Sequence, residues 1–203
     1  MGNYITLYTE LEVIKDFLNK TLEVVDSEMA NICKREESGE FLNPDEFSDE
    51  LFAPMEREAI AIRAVFYEIN SLIEWELRYL AVEPFQLSAQ KTSIPRPIRD
   101  APKDKSKSSK FVYDLPIKKV YELIEQHYKI NFSNLPGFTE VHHIRDTVNA
   151  FKHRKGLKDF RRDNVSKIPE KYQPTRENAY QAIDNASIFL KALWKESNLG
   201  KND

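Results

Sequence analysis

The sequence predicts an all-α fold, a helical bundle of two long antiparallel helices with several shorter ones. Apolar side chains recur at three- and four-residue steps through most of the 203 residues, which is the period of amphipathic helices. The chain is 41% hydrophobic, enough to bury a core, and one helical domain spanning residues 1–203 is expected. The five glycines form no G-x-G-x-x-G or G-x-x-x-x-G-K pattern, so these two phosphate-binding loops are excluded.

Two long helices are predicted in the first half of the chain. The first covers residues 4–35, and the acidic segment 36–54 contains Gly39 and Pro44, which predict a loop. Pro54 is expected in the first turn of the second helix, over 55–82, where its missing N–H costs nothing. The predicted core residues are Ile14, Phe17, Leu18, Val25, Met29 and Ile32 in the first helix, and Ile62, Val65, Phe66, Ile69, Leu72, Ile73, Leu77 and Leu80 in the second.

The second half of the chain begins with a change in composition. Residues 84–110 hold four prolines and a Lys/Ser-rich stretch, which predict an exposed basic loop. Shorter helices are expected over 116–128 and 140–155. A last helix is predicted over 175–197, with Tyr180, Ile183, Ile188, Leu190, Leu193 and Trp194 as its apolar residues.

Charged residues are unevenly distributed along the chain, although the formal net charge is only −3. Residues 1–90 carry 7 Lys/Arg against 19 Asp/Glu, whereas residues 91–203 carry 23 against 14. The basic half favours binding to phosphate groups, although two halves that neutralise each other would explain the same numbers. No run of 18 apolar residues predicts a membrane span. The single cysteine, Cys33, and the lack of a signal-like N-terminus favour a cytoplasmic location.

The stretch from His142 to His153 has the most informative composition. On a helix with Thr139 as N-cap, Val141, Ile144, Val148 and Phe151 occupy one arc of about 80°. Another arc of about 80° holds Arg145, His142, Asn149 and His153. The apolar arc is expected to face the core and the polar arc to stay accessible.

The polar side chains on this helix suit metal-free cleavage of RNA. An imidazole takes a proton from a 2′-hydroxyl or gives one to a leaving oxygen. An arginine holds the scissile phosphate, and an asparagine orients either group. The alternative is a structural one, a surface helix whose histidines and asparagine bond to neighbouring helices.

The pattern Arg145-Asp146-x-x-Asn149-x-x-Lys152-His153, followed by Gly156, resembles the HEPN superfamily. That resemblance implies a helical bundle, an endoribonuclease of a toxin–antitoxin or anti-phage defence system, and a homodimer with a composite site. It matches Arg145 and Asp146 to the family's Arg-[Asn/Asp/His] pair and His153 to its terminal histidine. Seven residues separate Arg145 from His153, a longer spacer than the family's. In an alternative alignment, Asn149 and His153 match the tail of the motif and Val148 replaces its arginine.

These observations give a residue-level hypothesis. Arg145, Asn149 and His153 are predicted to be catalytic, with support from His142, Asp146 and Glu68. The predicted RNA-binding cations are Lys152, Arg154, Lys155, Arg161 and Arg162. No cofactor is predicted and no metal, because the chain has no His-x-x-x-His or Cys-x-x-Cys pair. The alternative function is a non-catalytic module whose acidic first half binds a basic protein in such a complex.

Overall fold

Every element of the described chain is helical. The computed structural model describes residues 4–89, 105–154 and 172–199. Within these ranges lie α1 (Tyr4–Glu37), α2 (Pro44–Ala89), α3 (Lys105–Asp114), α4 (Ile117–Tyr128), a 3₁₀ turn (Phe132–Asn134), α5 (Phe138–Arg154) and α6 (Arg176–Leu199). The predicted all-α bundle is confirmed. None of the described helices is long and apolar enough to cross a membrane.

Two compact units make up the chain. The first comprises Met1–Ile69 and His143–Asp184, and the second comprises Asn70–His142 and Asn185–Asp203. In the first unit, Arg57 pairs with Glu28, and Arg35 pairs with Glu50 at 3.1 Å. Residue numbers that rise along α1 therefore fall along α2, so the two helices are antiparallel, as expected.

The core of the first unit is built from one face of each long helix. The buried residues of α1 include the seven-residue series Leu11, Leu18, Val25 and Ile32, together with Leu7 and Leu22. On α2, Ile62, Val65, Phe66 and Ile69 are buried, as predicted. Arg176, the first residue of α6, donates to Asp26 of α1 at 2.7 Å and to Glu58 of α2 at 2.6 Å. This clamp joins the start of α6 to both long helices.

Aromatic packing dominates the second unit. Phe132 contacts Tyr121, Phe138 and Phe189 at centroid distances of 4.7, 5.6 and 6.4 Å. Gly137 adopts a φ of +79°, and a Cβ there would lie 2.8 Å from the carbonyl oxygen of Asn185. Only glycine permits both this backbone conformation and this approach to α6. The remaining predicted core residues of α2, Leu72, Ile73, Leu77 and Leu80, are buried here.

The predicted start of the second helix is wrong. The helix begins at Pro44, eleven residues before the expected start at residue 55, and Pro54 lies buried in its interior. Asn43 accepts the Glu46 N–H at 3.0 Å, while the Glu46 carboxylate accepts the Leu42 N–H at 2.9 Å. This reciprocal cap, with a proline at the first helical position, makes a stronger start signal than Pro54.

The predicted loop over 84–110 is wrong at both ends. Residues 84–89 continue α2, with Pro84 buried, and α3 begins at Lys105. A proline inside a helix removes one backbone hydrogen bond, a cost that burial of the helix can offset. Residues 90–104 lie outside the described chain.

Two predicted core residues are exposed instead. Phe17 is 49% exposed and Ile188 is also 49% exposed. Phe17 lies about 100° around α1 from Leu18, so both cannot face the same core. The helix buries the Leu18 face, which continues through Leu11 and Val25.

Candidate active site

The predicted catalytic residues lie on α5, whose start is fixed by a tight turn. The Phe138 N–H donates to the Leu135 carbonyl at 3.2 Å, and the Val141 N–H donates to the Gly137 carbonyl at 3.0 Å. The helix therefore begins at Phe138, and Thr139, predicted as its N-cap, lies inside the first turn. Phe138 itself packs on Phe189 of α6, with centroids 6.2 Å apart. The aromatic contact anchors this end of α5.

The apolar arc of α5 is buried as predicted. Val141, Ile144 and Val148 have at most 4% of their surface exposed, and Phe151 is half-buried. Thr147 and Ala150 are buried beside them, so the packed face is wider than the sequence pattern indicated. Packing on this side fixes which residues of α5 can meet a ligand.

Arg145, Asn149 and His153 form a ladder on a different side of α5. Each is four residues from the next, so consecutive side chains are neighbours one turn apart. Arg145 and Asn149 are half-buried, whereas His153 is exposed. Arg145 and His153 lie about 12 Å apart along the axis, with Asn149 between them. The ladder thus presents a cation, an amide and an imidazole in sequence.

Residues of α2 border the last turn of α5 within the first unit. The Lys152 ammonium lies 5.6 Å from the centre of the Tyr67 ring, and the Arg63 guanidinium lies 6.0 Å from the Phe151 ring. Arg63 also donates to Glu56 at 2.8 Å. Arg63 was not predicted from the sequence to border α5. The available signal was its spacing from Tyr67, which places both on one side of α2.

The three supporting residues have different surroundings. Asp146 is exposed on α5, and Glu68 is exposed on α2 next to Tyr67. His142 belongs to the second unit, where its ring meets Phe138 edge-on at 4.7 Å and lies 6.0 Å from Tyr121. The sequence grouped His142 with the catalytic residues by its angle on the helix. Its described ring neighbours are aromatic side chains.

The predicted RNA-binding cations are only partly described. Lys152 is exposed, and Arg154 is the last residue of α5. Lys155, Arg161 and Arg162 lie outside the described residues, as does Gly156. Across the described ranges, no three His, Cys, Asp or Glu side chains are placed to hold a metal ion. Of the three ladder residues, His153 carries the group suited to proton transfer, while the side chains of Arg145 and Asn149 are able to bind and orient an anion.

The fold and the side chains on α5 define an all-α protein with an Arg/Asn/His ladder outside the packed face of this helix. Comparisons with protein-family models, curated proteins and solved structures find no match.

Proposed function

We propose that this protein is a HEPN-like, metal-independent endoribonuclease of a cytoplasmic defence or toxin–antitoxin system. The observation that carries the proposal is the Arg145–Asn149–His153 ladder. Its three side chains lie on consecutive turns of one helix, outside the packed face, and the imidazole is exposed. A helix that only had to pack would not need these three residue types there.

The proposed reaction is an intramolecular transfer at one phosphate of the RNA. His153 takes the proton of the 2′-hydroxyl, and the 2′-oxygen attacks the phosphorus. Arg145 holds the phosphate and offsets the charge that builds on its oxygens. The bond to the 5′-oxygen breaks, and this oxygen receives a proton from the imidazolium or from water. The products are a 2′,3′-cyclic phosphate and a 5′-hydroxyl.

The test is cleavage of mixed and host RNAs in excess EDTA by the wild type and by single variants. His153→Ala should lose about 10²- to 10⁴-fold in rate, the usual contribution of a general acid–base group. Arg145→Ala should lose about 10²- to 10³-fold, as when one charge-stabilising group is removed. Asn149→Ala should lose less, because it orients rather than transfers. Helicity measured by circular dichroism should stay unchanged in all three.

His143→Ala is the matched control for these variants. His143 is exposed on the same helix but points about 80° away from His153. Its removal should leave cleavage unchanged. Equal cleavage by the wild type, Arg145→Ala and His153→Ala would contradict the assignment of the site.

A specific surface favours a second candidate function, binding of a basic protein. Residues 36–56, here called the acidic tip, contain eight Asp/Glu and no Lys/Arg. Leu42, Phe52 and Met55 within this tip are 89%, 66% and 57% exposed. Acidic residues around exposed apolar side chains suit a basic partner with apolar side chains of its own, and they repel nucleic acid.

Contacts of its own side chains hold the acidic tip in a defined conformation. Arg35 lies 4.9 Å from the Phe41 ring and donates to Glu40 at 2.8 Å. Phe41 in turn contacts Phe47 at a centroid distance of 5.7 Å. The turn is thus held by its own contacts while Leu42 stays almost fully exposed.

Growth arrest on expression distinguishes the two functions. A nuclease should lose toxicity with His153→Ala and keep it with charge reversals at Glu37 and Asp49, two exposed acids of the tip. A binding module should behave in the opposite way. Glu40, Glu46 and Glu50 are unsuitable for reversal because they bond to Arg35 or cap α2.

A further inference from the structure

A narrow apolar stripe runs along the solvent side of α1. Val13, Phe17 and Val24 are 63%, 49% and 51% exposed. They fall within an arc of about 40°, centred about 120° around the helix from Leu18 on the buried face. The core of the first unit leaves all three side chains uncovered. Three large apolar side chains aligned on an exposed helix face indicate a contact surface.

The spacing between the residues of the stripe is the same when it is read from either end of the helix. Its six positions, here called the α1 stripe, are Glu10, Val13, Phe17, Lys20, Val24 and Ser27. They are separated by steps of three, four, three, four and three residues, which is the alternation along the seam of a coiled coil. Reversing the helix about a point between Leu18 and Asn19 exchanges Val13 with Val24 and Phe17 with Lys20.

We infer that the α1 stripe pairs with the α1 stripe of a second copy of this chain, antiparallel and about a two-fold axis. Val13 then packs on Val24 of the second copy, and Val24 packs on its Val13. Such a contact is isologous, because the same surface is used by both chains. This inference does not depend on the proposed nuclease function.

The charged residues of the stripe complement each other in this register. Lys20 pairs with Asp16 of its own chain at 2.6 Å, and both side chains are more than half exposed. In the antiparallel pair, Lys20 lies level with Phe17 of the second copy and one residue from its Asp16. An ammonium group near an aromatic face and a carboxylate is favourable. At the ends, Glu10 meets the hydroxyl of Ser27, so the ends of the seam bring no like charges together.

The size of the contact predicts a weak dimer. From Glu10 to Ser27 the seam is about 26 Å long, and each chain contributes one helix face. The area that one such face can bury is smaller than the roughly 800 Å² per partner of a standard interface. We therefore expect a dissociation constant above about 1 µM. Sedimentation analysis from 1 to 500 µM should therefore show a concentration-dependent dimer.

Cysteine cross-linking tests the register in the full-length chain. In a Cys33→Ser background, Val13→Cys with Val24→Cys should form disulfide-linked dimers on oxidation with copper phenanthroline. Val13→Cys alone and Val24→Cys alone should not, because identical residues of the two copies lie about 16 Å apart along the seam. Cross-linking by either single variant as efficient as by the double variant would overturn the antiparallel register.

A matched pair of aspartate variants tests the surface itself. Phe17→Asp should weaken dimerisation at least tenfold, because it places a carboxylate in the apolar seam. Ile188→Asp places the same carboxylate at an equally exposed apolar residue, outside the stripe, and should leave the dimer unchanged. A protein that stays monomeric up to 500 µM, or a dimer insensitive to Phe17→Asp, would overturn the inference.

Discussion

The free energy of unfolding of Gly137→Ala tests the close packing of the turn before α5 against α6. A Cβ at this position would lie 2.8 Å from the Asn185 carbonyl oxygen and 3.2 Å from the Phe189 Cβ, and the residue has a φ of +79°. Gly137→Ala therefore adds two costs. The left-handed backbone costs an L-residue about 1–2 kcal/mol, and overpacking against backbone that cannot move aside costs about 1–3 kcal/mol. Since alanine also restricts the unfolded chain and recovers part of this sum, the expected loss in unfolding free energy is about 2–4 kcal/mol.

Gly39→Ala is the matched control because it carries only the first cost. Gly39 has a φ of +74°, but nothing lies within 4 Å of its added Cβ. The expected loss is about 1 kcal/mol, since alanine also restricts the unfolded chain and recovers part of the penalty. Urea unfolding followed by circular dichroism measures both, and the slope m should not change. Losses equal within about 0.5 kcal/mol would refute the close approach of Gly137 to α6.

Two further predictions concern pH. Burial and the neighbouring Glu83 carboxylate raise the pKa of Tyr128 to about 12. The protonated Tyr128 side chain contributes fully to stability below the ordinary tyrosine pKa near 10. This contribution is lost as the pH rises from 10 through 12, by about 1.4 kcal/mol at pH 11. Tyr128→Phe should remove this loss from alkaline urea titrations. Hydrogen bonds from Arg176 lower the pKa of Asp26, so Arg176→Met should lower the free energy of unfolding at pH 7. That cost should shrink as the pH falls through the lowered pKa of Asp26, whereas a cost independent of pH would mean that the clamp acts by packing alone.

The sequence predicted the fold best where the apolar repeat was longest. All eight core residues predicted for the second helix are buried, because the repeat continues without interruption from Ile62 to Leu80. It failed at the prolines, since Pro54 and Pro84 lie inside a helix whose packing outweighs the lost backbone bonds. It also placed Phe17 in the core, because a short apolar cluster beside Leu18 does not reveal which face is buried.

The candidate site was predictable in its residues and less so in its surroundings. The four-residue spacing of Arg145, Asn149 and His153 guarantees a ladder on any helix, so the sequence alone was sufficient to find it. The aromatic neighbours of His142 come from α4 and from the first turn of α5. The contact of Lys152 with Tyr67 joins residues 85 positions apart. Such long-range contacts depend on packing, which a single sequence does not specify.

The most direct test of the proposed function is the chemistry of the RNA ends produced in excess EDTA. The wild type and His143→Ala should release fragments that end in a 2′,3′-cyclic phosphate, and His153→Ala should release none above background. Cyclic phosphate ends from His153→Ala at the wild-type rate, or no cleavage of any RNA by the wild type, would contradict the proposal that the α5 ladder cleaves RNA.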